Sequence, residues 1–189
     1  DILYKRLIAI RTGISLKALN NVKNLNPNDL EKVSIASGDL ENIILINGSI
    51  NTPIIKKNIL HVKSDKHIVV FLDHIGLIKA SGNSLYEKMT NVAKDLRTIC
   101  LDCNCTIIGL CQLSRESQKS NEMPKLQSLR DSGEIEQSAR KVILLYDTEK
   151  DSTSDTHDMK MIIAKNDDGS RIVKDFIFER YTQRFKEVK

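Results

Sequence analysis

Apolar positions along the chain follow two rhythms. DILYKRLIAI sets Ile2, Leu3, Leu7, Ile8 and Ile10 at helical spacing, with Lys5, Arg6 and Arg11 polar between them. The clearest helical stripe runs from Ser84 to about Cys103, where Leu85, Met89, Val92, Leu96, Ile99 and Cys103 follow in steps of four and three. It is too short for a coiled-coil seam and predicts a helix packed on a sheet. Shorter helices are expected in NDLEKVSIAS, after a turn at Pro27, and in TPIIKKNILHVKS. The second rhythm has no polar alternation. HIVVFLD, CTIIGLC and KVILLY read as buried strands, of the kind that a parallel sheet covers on both faces. ENIILING reads as a further strand closed by Asn47-Gly48. DMKMIIA and RIVKDFIFE flank NDDG and predict a terminal hairpin, with Asp168-Gly169 supplying positive φ angles at a tight turn. TEKDSTSDTHD, polar and aperiodic, reads as a mobile loop.

Strand, helix and strand in repetition imply an α/β fold: a mostly parallel sheet flanked by helices, followed by a C-terminal β-hairpin. The 189 residues suit one domain, and with 4% aromatic residues and no Trp its core must be aliphatic. A formal charge of +4 is too mild to demand a polyanionic partner, although a localised positive surface can serve one. No apolar stretch approaches the roughly 20 residues of a membrane span, and the N-terminus lacks a signal-peptide core. The chain therefore reads as soluble and intracellular, with a cytoplasmic location. Cys100-x-x-Cys103 invites zinc, but the first pair of cysteines ends a helix while Cys105 and Cys111 lie in a strand, which favours reduced thiols. The histidines, His61, His67, His74 and His157, show no metalloenzyme spacing.

VVFLDHIGLI ends an apolar run with Asp73. In open α/β sheets ligands gather beyond the carboxyl ends of strands. A carboxylate there either holds the hydration shell of a nucleotide-bound Mg²⁺, as in a Walker B element, or caps the following loop. The segment alone leaves both readings open. Further on, CTIIGLC ends in Gln112, followed by a loop with Arg115, Lys119, Pro124 and Lys125 and then by Leu129-Arg130-Asp131-Ser132-Gly133.

Together these residues resemble the C-terminal motor domain of the DnaB-type replicative DNA helicases, a RecA-like ATPase fold. The family shows a strand ending in Asp within a D-Y-L-Q-L-like run, a strand ending in S-Q-L-x-R, and then D-L-R-E-S-G-x-I-E-Q-x-A-D. This chain reads D-H-I-G-L-I, C-Q-L-S-R and S-L-R-D-S-G-E-I-E-Q-S-A-R in the same order. The resemblance runs from about Ile2 to Phe185. It implies that Asp73 orients Mg²⁺ through water and that Gln112 senses the γ-phosphate of ATP. It also implies that Arg130, Asp131 and Gly133 follow the backbone of single-stranded DNA, a grip that positions without reading bases. The expected assembly is a homo-hexamer, with a primase and a helicase loader as possible further partners and no membrane partner.

Two departures qualify this picture. No G-x-x-x-x-G-K-[ST] occurs, so residues 1–189 resemble a single partial RecA-like domain whose first strand and P-loop lie upstream. Such a fragment is not expected to hydrolyse ATP unaided. The family's hairpin usually reads K-Q-R-N-G, with its arginine reaching the neighbouring subunit's γ-phosphate. Here it reads Lys165-Asn166-Asp167-Asp168-Gly169. Lys165 keeps a nucleotide-binding role in trans, while Asp167 sets a negative charge where phosphate chemistry calls for a cation. Two alternatives stand beside the helicase motor: a RecA- or RadA-type recombination ATPase, and a non-hydrolysing DNA-binding or ring-building module.

Overall fold

The structure is a computed structural model that describes residues 2–62, 64–114, 122–149 and 153–188, without the side chains of Arg130, Asp131 and Ser132. Two compact units divide the chain, one of residues 47–144 and 163–171, the other of residues 1–46, 145–162 and 172–189.

In the first unit, Asn51 caps helix α4 (Thr52–His61) by accepting from the Ile54 N–H at 3.0 Å, with Pro53 in the first turn, where a missing N–H costs nothing. Strand β1 (Val69–Leu72) follows, then a 3-10 turn at Ile75–Leu77, helix α5 (Leu85–Asp102) and strand β2 (Thr106–Gly109). β1 and β2 pair in parallel, from Val69 opposite Thr106 to Leu72 opposite Gly109, so α5 is the crossover that such a pair requires. The stripe expected on α5 is present: Met89, Val92, Leu96 and Ile99 are buried against Ile55, Ile59, Leu72, Ile75 and Ile78. Leu85 departs from it and is exposed, because it occupies the first helical turn, outside the core.

The two-sided burial expected of HIVVFLD is not found. Val70 and Leu72 face the core, whereas Val69 and Phe71 point the other way and Phe71 is 68% exposed. Alternation along a strand sends successive residues to opposite faces, and only one face of β1 is packed among the described residues. After β2 the described chain resumes in a 3-10 segment (Leu126–Ser132) and helix α6 (Gly133–Ser138), both packed on α5.

The second unit builds on α1 (Ile2–Thr12), α2 (Leu16–Leu19) and α3 (Pro27–Asp39). Ile8, Ala9, Ile14 and Leu19 form its core, joined by Tyr4, Leu25, Val33 and Leu40. Gly13 ends α1 with φ +77°, a left-handed conformation that glycine adopts without strain, and its N–H donates to Ala9 O at 2.8 Å. Arg184 supplies the other part of that cap, donating from Nε to Ile10 O at 2.6 Å and from Nη2 to Arg11 O at 3.1 Å.

Strands β3 (Lys141–Asp147), β4 (Thr156–Asn166), β5 (Val173–Glu179) and β6 (Arg184–Glu187) form a four-stranded sheet in that order. Residues of β3 and β4 belong to both units. β4 and β5 are antiparallel from Thr156 opposite Glu179 to Ile162 opposite Val173, which is the hairpin the sequence announces. β6 completes the sheet against β5, with Phe178 and Phe185 rings 4.7 Å apart.

Three local expectations fail. ENIILING is irregular, and Ile43, Ile44 and Ile46 are exposed; the pairing comes after Gly48 instead, where Lys79 N–H donates to Ile50 O at 2.9 Å. An apolar run becomes a strand only where a partner edge exists. Asp168 and Gly169 do not take positive φ, because the hairpin closes through a longer loop, residues 167–172, and not through a two-residue turn. The end of TEKDSTSDTHD belongs to β4, where His157 is 2% exposed and pairs through Nδ1 with Asp147 Oδ2 at 3.0 Å, while residues 150–152 of that segment lie outside the described residues.

Candidate functional site

The carboxyl ends of β1 and β2 are tied by backbone bonds. Leu110 N–H donates to Leu72 O and Ile75 N–H to Leu110 O, each at 3.0 Å. Asp73 leaves β1 immediately beyond its last paired residue and is exposed, with no hydrogen bond or ion pair among the described residues. A carboxylate without protein donors retains its lone pairs for water or a cation. His74 precedes the 3-10 turn with an extended backbone and makes no side-chain cap.

Packing beneath Asp73 depends on Gly109. A Cβ at that position would stand 2.7 Å from Ile75 Cγ2, inside any normal contact distance, and Ile75 is buried in the core. The absent side chain at the end of β2 thus lets the Asp73 loop close over the sheet. Sequence reasoning missed this residue, although glycine at a strand end is a signal of close approach.

Gln112 continues β2 by three residues and is exposed, its side chain making no hydrogen bond among the described residues. Two positions later Ser114 N–H donates to Ser128 O at 3.2 Å, which fastens the chain after Gln112 to the 3-10 segment that carries Arg130 and Asp131. Ser128 is held in turn by its N–H to Lys125 O at 2.8 Å and by its Oγ accepting from Lys125 N–H at 3.1 Å. Leu129 anchors the segment in the interior. The backbone positions of Asp73, Gln112 and Arg130 therefore belong to one hydrogen-bonded framework. Arg115 and Lys119 lie outside the described residues.

Gly133 opens α6 at φ −50°, with Glu134 and Glu136 in the first turn, where the helix dipole favours negative charge. Lys165 lies against the end of α6. Its ammonium donates to Ala139 O at 2.7 Å, Glu136 O at 3.0 Å and Gln137 O at 3.5 Å, capping the carbonyl end of α6, and its side chain is 21% exposed. All three N–H groups thus meet the chain's own oxygens. Beside it, Asp167 N–H donates to Arg140 O at 3.1 Å, and Arg140 Nη2 donates to Asp168 Oδ1 at 2.5 Å. Sequence reasoning passed over Arg140 because it precedes a strand rather than standing in the hairpin.

Among the described residues no group of three or more His, Cys, Asp or Glu side chains is placed to hold a metal. Cys105 is buried, and burial first, then the neighbouring Cys100 and Cys103, pushes its thiol up to about 11. A thiol held so firmly protonated is a poor metal ligand or nucleophile.

Residues 1–187 match the family of the DnaB-like helicase C terminal domain. The chain belongs to that family. Its relatives include the probable plasmid replicative DNA helicase of Chlamydia trachomatis, 30% identical over 193 residues that cover 99% of this chain and 42% of that protein. The replicative DNA helicase DnaB of Geobacillus stearothermophilus is 28% identical over 177 residues, covering 88% of this chain and 39% of that one. Among solved structures, a DnaB-like replicative helicase studied with its primase interactions superposes with a TM-score of 0.86 at 25% identity, over 98% of this chain and 47% of that chain. A second solved structure, of an ATPase domain, gives a TM-score of 0.86 at 26% identity, over 98% of this chain and 70% of that chain.

This DnaB-like domain thus has the RecA-like fold of helicase ATPase domains, and it spans less than half the length of the curated relatives it matches. The motifs from Asp73 through Gln112 to Arg130 all fall within the matched region, and the framework of backbone bonds explains their spacing in it. Among the described residues no helix is long and apolar enough to cross a membrane.

Proposed function

We propose that the DnaB-like domain is the motor of a replicative DNA helicase, hydrolysing ATP with Mg²⁺ to move along single-stranded DNA as a homo-hexameric ring. The observation that carries this reading is the carboxylate of Asp73, without a partner among the described residues, at the carboxyl end of β1, which is bonded through Leu72 and Leu110 to the strand that leads to Gln112. Mg²⁺ favours hard oxygen donors, keeps several waters and takes few protein carboxylates beside the nucleotide phosphates. One aspartate at a strand end fits such a site, and a three-ligand protein cage is not needed.

Within this reading each residue has a separate task. Asp73 would hold Mg²⁺ through its hydration shell, from a position fixed by a rigid strand. Gln112 offers amide donors and an acceptor beyond the end of β2, suited to sense whether the terminal phosphate is present. Its state reaches the DNA segment through the Ser114–Ser128 bond, a path only two residues long. Arg130, Asp131 and Gly133 then line the DNA backbone, where contacts to phosphate give grip without sequence preference. Bound Mg²⁺ supplies charge neutralisation of the developing phosphate negative charge.

The solved relative studied with primase supports primase as a partner, and a loader is the further partner implied by a ring that must open on DNA. Function at a replication fork sets the expected location inside the cell. The recombinase alternative is not favoured, since the relatives bear the names of replicative helicases. The non-hydrolysing module keeps one supporting observation, Asp167 in the place of the family's hairpin arginine.

The test is nucleotide hydrolysis by the full gene product with and without single-stranded DNA. Turnover stimulated by DNA is expected, and Asp73→Asn should lower it about 10²–10³-fold, the usual effect of losing one well-placed electrostatic group. Wild-type DNA binding with no turnover would favour the module, and unchanged turnover in Asp73→Asn would remove Asp73 from the site.

A further inference from the structure

The loop end of the β4–β5 hairpin carries a charge arrangement that the motor reading leaves unused. Residues 167–172 are exposed, and the loop begins with two carboxylates, Asp167 and Asp168. Arg140 stands directly alongside. Its carbonyl accepts from Asp167 N–H at 3.1 Å, and its guanidinium donates to Asp168 Oδ1 at 2.5 Å. Lys141 lies 3.6 Å from the other Asp168 oxygen. The Arg140 side chain is 72% exposed, so Asp168 directs it along the hairpin end without burying it. A guanidinium has five N–H donors in a rigid fork, and one bond to Asp168 leaves most of the fork available to an external oxyanion.

The signs of charge at these two places are reversed together. Where the resembled pattern ends E-Q-x-A-D, this chain reads E-Q-S-A-R, and where that pattern has an arginine in the hairpin, this chain has Asp167. The backbone bond from Asp167 to Arg140 shows the two positions to be neighbours across the β3–β4 edge. One cation at the hairpin end is thereby retained, moved sideways by one strand. Lys165 does not offer a replacement, because its ammonium is occupied by the carbonyls of α6.

We propose that Arg140, positioned by Asp168, is the trans-acting cation of this chain, reaching the terminal phosphate of a nucleoside triphosphate bound at the Asp73 site of a second copy. This rests on the motor reading, and it replaces Lys165 as the group that serves the neighbour. A planar, permanently charged fork suits a phosphoryl group whose equatorial oxygens gain charge in the transition state. Asp168 stabilises the guanidinium in one direction and leaves its charge intact, since arginine does not lose its proton in proteins.

The experiment uses the full gene product and ATP with single-stranded DNA. Arg140→Ala is expected to lower turnover about 10³-fold or more, as loss of an arginine finger does elsewhere. Arg140→Gln, which keeps hydrogen-bonding capacity without charge, should repeat that loss and stands in if the alanine variant fails to fold. Arg171→Ala removes an equal charge from the same loop and should stay within about twofold of wild type, the range of an ordinary surface substitution. In rings mixed from Arg140→Ala and Asp73→Asn subunits, each nearly inactive alone, part of the turnover should return, because an intact Asp73 site then meets an intact Arg140 on its neighbour. Full activity in both Arg140 variants, with Asp73→Asn inactive, overturns the proposal and leaves the motor reading standing. No recovery of turnover in those mixed rings also overturns it, by showing that Arg140 does not serve a neighbouring subunit's site. Wild-type protein without turnover overturns the motor reading and this proposal with it.

Discussion

Gly109 fixes the place of Asp73 through what it lacks. Alanine in a strand is ordinarily preferred over glycine by roughly 0.5–1 kcal/mol, because glycine loses more backbone freedom on folding. At the end of β2 that preference is opposed by Ile75 Cγ2, only 2.7 Å from where an alanine Cβ would stand, and Ile75 belongs to the packed core. Overpacking of this kind costs about 1–3 kcal/mol, so the steric effect wins. Gly109→Ala should therefore lower stability in urea titration and displace the Asp73 loop, with turnover of the full protein falling alongside. A variant as stable as wild type or more so would show that Ile75 moves aside freely. Phe71, two residues before Asp73, behaves oppositely: it is largely exposed on the unpacked face of β1, so its burial contributes little here.

Helix α5 shows how much an element's own sequence can settle. Its stripe of Met89, Val92, Leu96 and Ile99 was legible because one apolar face meets one core, and its start was legible at Ser84. Ser84 Oγ accepts from Glu87 N–H at 3.1 Å, and the Glu87 carboxylate accepts from Asn83 N–H at 2.6 Å, so the first turn loses no donor to the interior. Ser84→Ala should cost about 0.5–2 kcal/mol in thermal or urea unfolding. A change below that range would mean that water replaces the cap at no cost. Elements whose form depends on distant partners were less legible. ENIILING has strand composition but no described partner edge, and the hairpin turn depends on loop length, which NDDG does not state. At the site, Asp73 and Gln112 were readable because each ends an apolar run. The occupied state of Lys165 and the exposure of Arg140 were not, since both depend on which carbonyl and carboxylate the fold brings near them.

At the scale of the whole molecule, the two units have cores of unequal extent. Around α5, buried side chains from α4, β1, the Ile75 turn, α5 and Cys105 form one continuous apolar cluster, whereas the cluster around α1 rests on Ile8, Ala9, Ile14 and Leu19. Since burial stabilises by roughly 25 cal/mol per Å² of apolar surface, local opening should be easier where fewer such side chains must be exposed. The cap of α1 does not reverse this, because the Arg184 guanidinium and the Gly13 N–H protect carbonyls at one end of the helix only. Native-state hydrogen exchange should find the amides of α5 between Met89 and Ile99 the slowest, with those of α1 exchanging about tenfold faster or more through sub-global openings. Equal protection in both helices would mean that the units open only together, and the unequal cores would then not govern the order in which this domain comes apart.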